Sequence, residues 1–178
     1  MRTYVGIDPG MTGGIARITE GKLDLSIATP ILNKEFDDIA IYTLLFPLRG
    51  TDCRVILEKV HSNPTFGAKG NFTFGGVYGS LRTILHVLQL PYVTVSPKTW
   101  QKEVFSGMKE IRKPPKTRVV KGKEITVQGS IDTKLMARQA CNRIWPTFDF
   151  TPTPRSKKPH EGMIDSALIA EYGRRKNL

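Results

Sequence analysis

Every apolar run in this chain of 178 residues is cut within a few positions by Gly, Pro or a charged side chain. None approaches the ~20 residues that a bilayer-spanning helix needs, so a membrane partner is not expected. Cysteine is scarce too. The two thiols, Cys53 and Cys141, fall in a strand-like and a helix-like stretch, which predicts buried thiols rather than a disulfide. No basic-then-apolar leader opens the sequence, since Arg2 runs straight into a strand pattern ending at Asp8. A cytoplasmic protein is the expectation. Internal repeats and low-complexity tracts are missing, and the length suits one well-buried core, so residues 1–178 read as one domain.

Acid is in short supply. Asp and Glu number 16 against 27 Lys and Arg, for a formal net charge of +11. The isoelectric point is near 9.8 and the mean hydropathy is -0.24. The basic residues are clustered: Lys109 to Lys123 holds seven of the 27, opposed only by Glu110. Two further clusters, Arg155-Ser156-Lys157-Lys158 and Arg174-Arg175-Lys176, flank an acidic pair on either side. Clustered cations around carboxylates point to a polyanionic partner, and nucleic acid is favoured.

Local patterns give the order of elements. Thr3 to Asp8, Ile15 to Thr19 and Leu23 to Thr29 read as three strands joined by tight turns. Phe36 to Phe46 has helical spacing and is closed by Pro47. Cys53 to Glu58 is a short apolar run suited to a strand buried on both faces. From His61 to Gly76 a glycine-rich stretch with Phe66, Phe72 and Phe74 reads as a loop, followed by a helix over Val77 to Leu88. Tyr92 to Val95 is another strand, and Ser96-Pro97 starts a helix. Lys109 to Gly129 reads as a mobile loop or as a β-excursion through Arg118 to Val127. A helix from about Thr133 to Ile144 is capped by Asp132 or Ser130. Thr147 to Pro159 is a loop, and the last helix runs from about Gly162 to Arg174. The expected fold is α/β: a mixed sheet with three antiparallel leading strands and helices on both faces.

Four acids stand out in this frame. Asp8 ends the first strand, Glu58 ends the buried strand, and Glu161 and Asp165 share one face of a helical turn at i, i+4. Taken singly, each has an ordinary explanation. Asp8 suits a Pro-Gly turn, Glu58 suits an ion pair with Lys59 or Arg54, and acids favour helix N-termini. Taken together, they can converge on hard divalent cations, Mg²⁺ or Mn²⁺, two per site, which would activate water against a phosphodiester. Phe72 and Phe74 suit either stacking on an opened base or plugging the core. Lys69, Lys113, Lys116, Arg118, Lys121 and Lys123 suit phosphate contacts that do not read sequence.

Gly6-Ile7-Asp8-Pro9-Gly10, Leu57-Glu58 and Asp165-Ser166-Ala167-Leu168-Ile169-Ala170 resemble, in order, motifs of the RuvC family of Holliday-junction resolvases. The form His160-Glu161-Gly162 with Asp165 is more similar to the phage and phage-derived branch. The resemblance implies an RNase H-like fold, a homodimer and two-metal cleavage of a four-way DNA junction. It places Asp8, Glu58 and Asp165 on the family's metal-binding acids. Glu161 stands where that branch usually has Asp, and other RuvC proteins space the pair by three residues, so either Glu161 or His160 completes the set. Lys134 resembles the family's basic residue near the scissile phosphate. The Val77 to Leu88 helix, with Tyr78, Leu81, Ile84 and Leu85, resembles its dimer helix.

Two other readings fit parts of the pattern. Residues 6–14 are similar to the phosphate loop of actin-like ATPases and sugar kinases, but the chain is too short for their two lobes. A junction-binding protein with weakened chemistry is the other, and Glu161 is its support. Nothing in the sequence points to a helicase partner.

Overall fold

In the computed structural model, which describes residues 2–62, 64–120 and 123–178, the chain starts with an antiparallel meander. Strands β1 (Thr3–Asp8), β2 (Gly14–Thr19) and β3 (Lys22–Ala28) pair in sequence. The short strands β4 (Ile31–Leu32) and β5 (Glu35–Phe36) form a small hairpin. Helix α1 (Asp38–Leu45) follows, then β6 (Cys53–Glu58), α2 (Gly67–Val87), β7 (Tyr92–Val95) and α3 (Pro97–Val104). A second hairpin, β8 (Lys116–Val120) and β9 (Lys123–Val127), precedes α4 (Thr133–Ile144) and α5 (Glu161–Lys176).

The central sheet has the order β3-β2-β1-β6-β7. β6 joins β1 in parallel and β7 joins β6 in parallel, so the antiparallel meander becomes a parallel half at β1. Side chains along β1 alternate between two cores, as the period of a strand requires. Val5 and Ile7 pack with Ile41, Leu45, Val77, Leu81 and Leu85 of α1 and α2. Tyr4 and, from β6, Ile56 pack on the other side with Trp100, Ala140, Ile164 and Leu168 of α3, α4 and α5. Helices thus cover both faces, as expected.

Caps set the helix starts. The Asp37 carboxylate accepts from the Ala40 amide, Ser96 Oγ from Thr99 and Asp132 from Leu135, each meeting an amide that the first turn leaves without a partner. α5 ends with Asn177 at φ 50° behind Arg174, Arg175 and Lys176 in its last turn, where cations favour the helix dipole.

Three expectations change. The first helix begins at Asp38, because Glu35 and Phe36 are used in the small hairpin. The glycine-rich stretch is helical from Gly67 onward, so Phe72 and Phe74 belong to α2 and not to a loop. Its glycines cost helix stability, but Pro64 is the last proline before the buried stripe of Val77, Leu81, Ile84 and Leu85, and that stripe carries the helix back toward its start. The final helix starts at Glu161, one residue before the position read from the sequence. Between Lys109 and Gly129 the β-excursion forms, as β8 paired with β9. Both cysteines are buried free thiols.

Candidate active site

Asp8 and Glu58 leave the sheet side by side. The parallel register pairs Ile7 with Leu57, so the next residue on each strand emerges at the same edge. This is the carboxyl end of the parallel strands, where open α/β sheets place ligand sites. α5 crosses this edge at main-chain distance. A methyl group on Gly6 would lie 2.1 Å from the Ser166 carbonyl oxygen, and one on Gly162 would lie 2.3 Å from the Gly13 carbonyl. These contacts press the first turns of α5, with Glu161 and Asp165, against the β1–β2 turn. In that turn Gly10 adopts φ 138°, a conformation open mainly to glycine.

The carboxylates strain one another. Asp8, Glu58 and Asp165 are half-buried. Asp8 is held well above its ordinary pKa, first by burial and then by Glu58 and Asp165. Burial also raises Glu58, while the Trp100 indole works against the rise. Trp100 Nε1 donates to Glu58 Oε1 at 2.7 Å. Asp165 is pushed up to about 7 by burial, then by Glu58 and Glu161, with Lys134 pulling the other way. Desolvated like charges in mutual reach call for a cation.

Glu161 sits differently. Its Oε2 accepts from Lys134 Nζ at 2.5 Å and its Oε1 faces Arg138 Nη2 at 3.5 Å. His160 is the N-cap of α5, and its Nδ1 accepts from the Met163 amide at 3.4 Å, which leaves only Nε2 for any other role. Among the described residues no three His, Cys, Asp or Glu side chains form a ready metal cage. Two of the four acids are instead turned to partners of their own. The donor set of Asp8, Glu58 and Asp165 still fits a hard divalent ion, because its carboxylates are desolvated beside one another and only Lys134 works against the repulsion at Asp165. Glu161 stands apart in having two cationic partners.

Beside Asp8 opens a cavity of about 530 Å³, lined by residues 9–13 and by Phe66, Lys69, Gly70, Thr73 and Phe74. Phe74 meets Phe66 edge-on, with ring centroids 5.8 Å apart. Phe72 lies two residues earlier on the helix, hence on another side, and is 85% exposed. The two phenylalanines therefore sit in different surroundings. Lys69 lines the cavity, while Lys113, Lys116 and Lys123 are exposed on or beside the β8–β9 hairpin. Arg118 lies within β8, and Lys121 lies outside the described residues. The stripe of Val77, Leu81, Ile84 and Leu85 is buried in this chain's own core, so those side chains cannot form a dimer face; Tyr78 packs partly beside them.

Sequence reading missed Trp100 and Arg138. Arg138 had a signal, since it stands four residues after Lys134 on one helix face. The Trp100 contact to Glu58 spans 42 positions and left none.

A mixed five-stranded sheet, antiparallel then parallel, with helices on both faces, defines an RNase H-like α/β fold. Two solved structures of RuvC from Thermus thermophilus share it. One, with a TM-score of 0.58 and 17% identity, covers 98% of this chain and 96% of its own. The other, RuvC in complex with a Holliday junction substrate, has a TM-score of 0.56 and 14% identity and covers 99% of this chain and 96% of its own. No protein-family model matches the sequence, and no curated protein does.

Proposed function

We propose that this chain is a metal-dependent, structure-selective endonuclease of the RuvC type, nearest the phage branch, that resolves four-way and related branched DNA. The observation that carries the reading is the meeting of three desolvated carboxylates, Asp8, Glu58 and Asp165, at the carboxyl edge of an RNase H-like sheet in a protein of net charge +11. These three acids would hold two Mg²⁺ or Mn²⁺ ions. Ions held there would supply Lewis acidity for activating water and for stabilising the leaving 3′ oxygen of a phosphodiester.

The chain's own groups do the rest. Lys134 supports the scissile phosphate. Lys69, Lys113, Lys116, Arg118, Lys121 and Lys123 hold the arms by their backbones. Phe72, projecting from α2, stacks on a base opened at the branch point, and Phe74 walls the cavity beside Asp8. His160 serves as a helix cap. Paired cuts in a symmetric junction call for two copies acting together, and we assign a homodimer in the cytoplasm, each copy a single nuclease domain.

Labelled four-way, Y-shaped and linear duplexes, incubated with and without Mg²⁺, test the assignment by mapping of nicks. Wild-type protein is expected to cut the branched substrates in a metal-dependent way. Asp8→Asn is expected to lose cleavage, by about a hundredfold or more, while still binding junctions. Cleavage by that variant at the wild-type rate rejects the site.

The ion pairs that engage Glu161 favour one second reading, a junction-binding protein whose chemistry has weakened. It predicts tight junction binding with no nicks in either Mg²⁺ or Mn²⁺. The described residues build one five-stranded sheet and two small hairpins, which lend the nucleotide-clamping alternative no support.

A further inference from the structure

Lys134 and Arg138 lie one turn apart on α4 and reach across to the same carboxylate at the start of α5. Each takes a different oxygen of Glu161. We propose that these two cations form a clamp for a DNA phosphate, and that Glu161 occupies the clamp as an internal stand-in which the substrate must displace. The inference rests on the nuclease reading above and names a phosphate-binding residue, Arg138, and a role for Glu161 other than metal ligation.

The same molecule contains a finished arginine–carboxylate pair for comparison. Arg174 grips the buried Glu171 with Nε at 2.7 Å and Nη2 at 2.8 Å, and Arg175 adds a third contact at 2.8 Å. That is the two-pronged geometry which makes arginine pairs strong. Arg138 is different. Its one contact to Glu161 is long, at 3.5 Å, and its Nε is buried with no hydrogen-bond partner among the described residues. A guanidinium built only to hold Glu161 would use that edge. The idle N–H is costly and shows that Arg138 does not close a two-pronged pair on Glu161.

Charge and access agree. Two cations against one carboxylate leave one positive charge over. The Lys134 and Arg138 side chains are 66% and 41% exposed, so a ligand can reach them from solvent. The two non-bridging oxygens of a phosphodiester offer what the two oxygens of Glu161 offer, with the charge fixed on a polymer that other basic residues already attract.

Junction binding measured in EDTA, over a range of salt concentrations, separates this role from metal ligation. Glu161→Gln keeps the shape and frees both cations, so affinity is expected to rise about tenfold and the salt dependence to steepen by about one counterion. Arg138→Gln and Lys134→Gln are each expected to weaken binding and to flatten the slope by about one, while Arg138→Lys restores the slope. Matching thermal midpoints confirm that the variants are folded, and the arginine series tests the clamp independently of Glu161→Gln. Unchanged or weaker metal-free binding by Glu161→Gln overturns the proposal, as does an unchanged slope in Arg138→Gln. Wild-type protein that neither binds nor cuts junctions would remove the nuclease reading itself. Wild-type binding with variants that do not move it removes only the clamp.

Discussion

Asp165 bears a heavy electrostatic burden. Its pKa near 7 against an ordinary 3.8 means that the folded protein keeps a proton which the unfolded chain has released across that interval. Stability of the metal-free protein therefore falls as pH rises from about 4 to about 7, and Asp8 adds to the trend in the same direction. A divalent ion that binds the ionised acids reverses the loss at the upper end. Melting curves in EDTA should thus show a lower midpoint at about pH 8 than at about pH 5, with Mn²⁺ restoring it at the higher pH only. Asp165→Asn should flatten the pH dependence and blunt the response to the ion. A metal-free midpoint that climbs over that range would contradict this linkage. The acids themselves were legible in the sequence, because Asp8 and Glu58 each close an apolar run where a charge is out of place. Their partners were less so. Helical register places Arg138 beside Lys134 but does not say what either faces, and nothing local ties Trp100 to Glu58.

Helix α5 positions the site through contacts between backbones. The hydrogen at Gly6 leaves room for the Ser166 carbonyl and the Ala170 amide, and a methyl group there would sit 2.1 and 2.4 Å from them. Gly6→Ala should therefore force the helix outward, at a cost of about 1–3 kcal/mol or more. Calorimetry would register a drop of several degrees in the midpoint, and junction cleavage would fall with it as Asp165 moves away from Asp8. An alanine variant with wild-type melting and cleavage would mean that the helix is not fixed there. The sequence signalled α5 well, through its cap region and its run of small and apolar residues. α2 was half legible. Its apolar stripe was plain, but a stretch with Gly67, Gly70, Gly75 and Gly76 has the composition of a loop. Propensity lost to tertiary burial there, since the anchored end of the helix extends it through residues that would not hold a helix alone.

On the scale of the molecule, the order of strands followed from turn signals, while the insertion of β6 beside β1 did not. Which edge a returning strand joins depends on the covering of both faces, a property no local window contains. The β8–β9 hairpin stands apart from this sheet as a sheet of its own. Its base is closed by a bridge between Arg112 and Ile131 and by bonds from Lys113 to Ser130 and from Asp132 to Ile111. Replacing residues 116–127 with a short Gly-Ser link should leave the thermal midpoint nearly unchanged, because the core of the domain lies elsewhere. Junction affinity should fall, and the salt dependence should lose about two to four counterions, for the cations at 116, 118, 121 and 123. Unaltered affinity after that deletion would exclude the hairpin from the DNA interface.

The close approach of α5 to β1 has a further consequence for how far such a protein can diverge. Because peptide groups touch peptide groups there, the spacing of the acids is set by atoms common to every residue. Substitutions elsewhere in the two cores can accumulate without dragging the carboxylates out of place, provided the hydrogens at positions 6 and 162 remain. A scaffold so arranged separates the placement of its acids from the identity of its filling, which accords with a shared architecture at 14% and 17% identity.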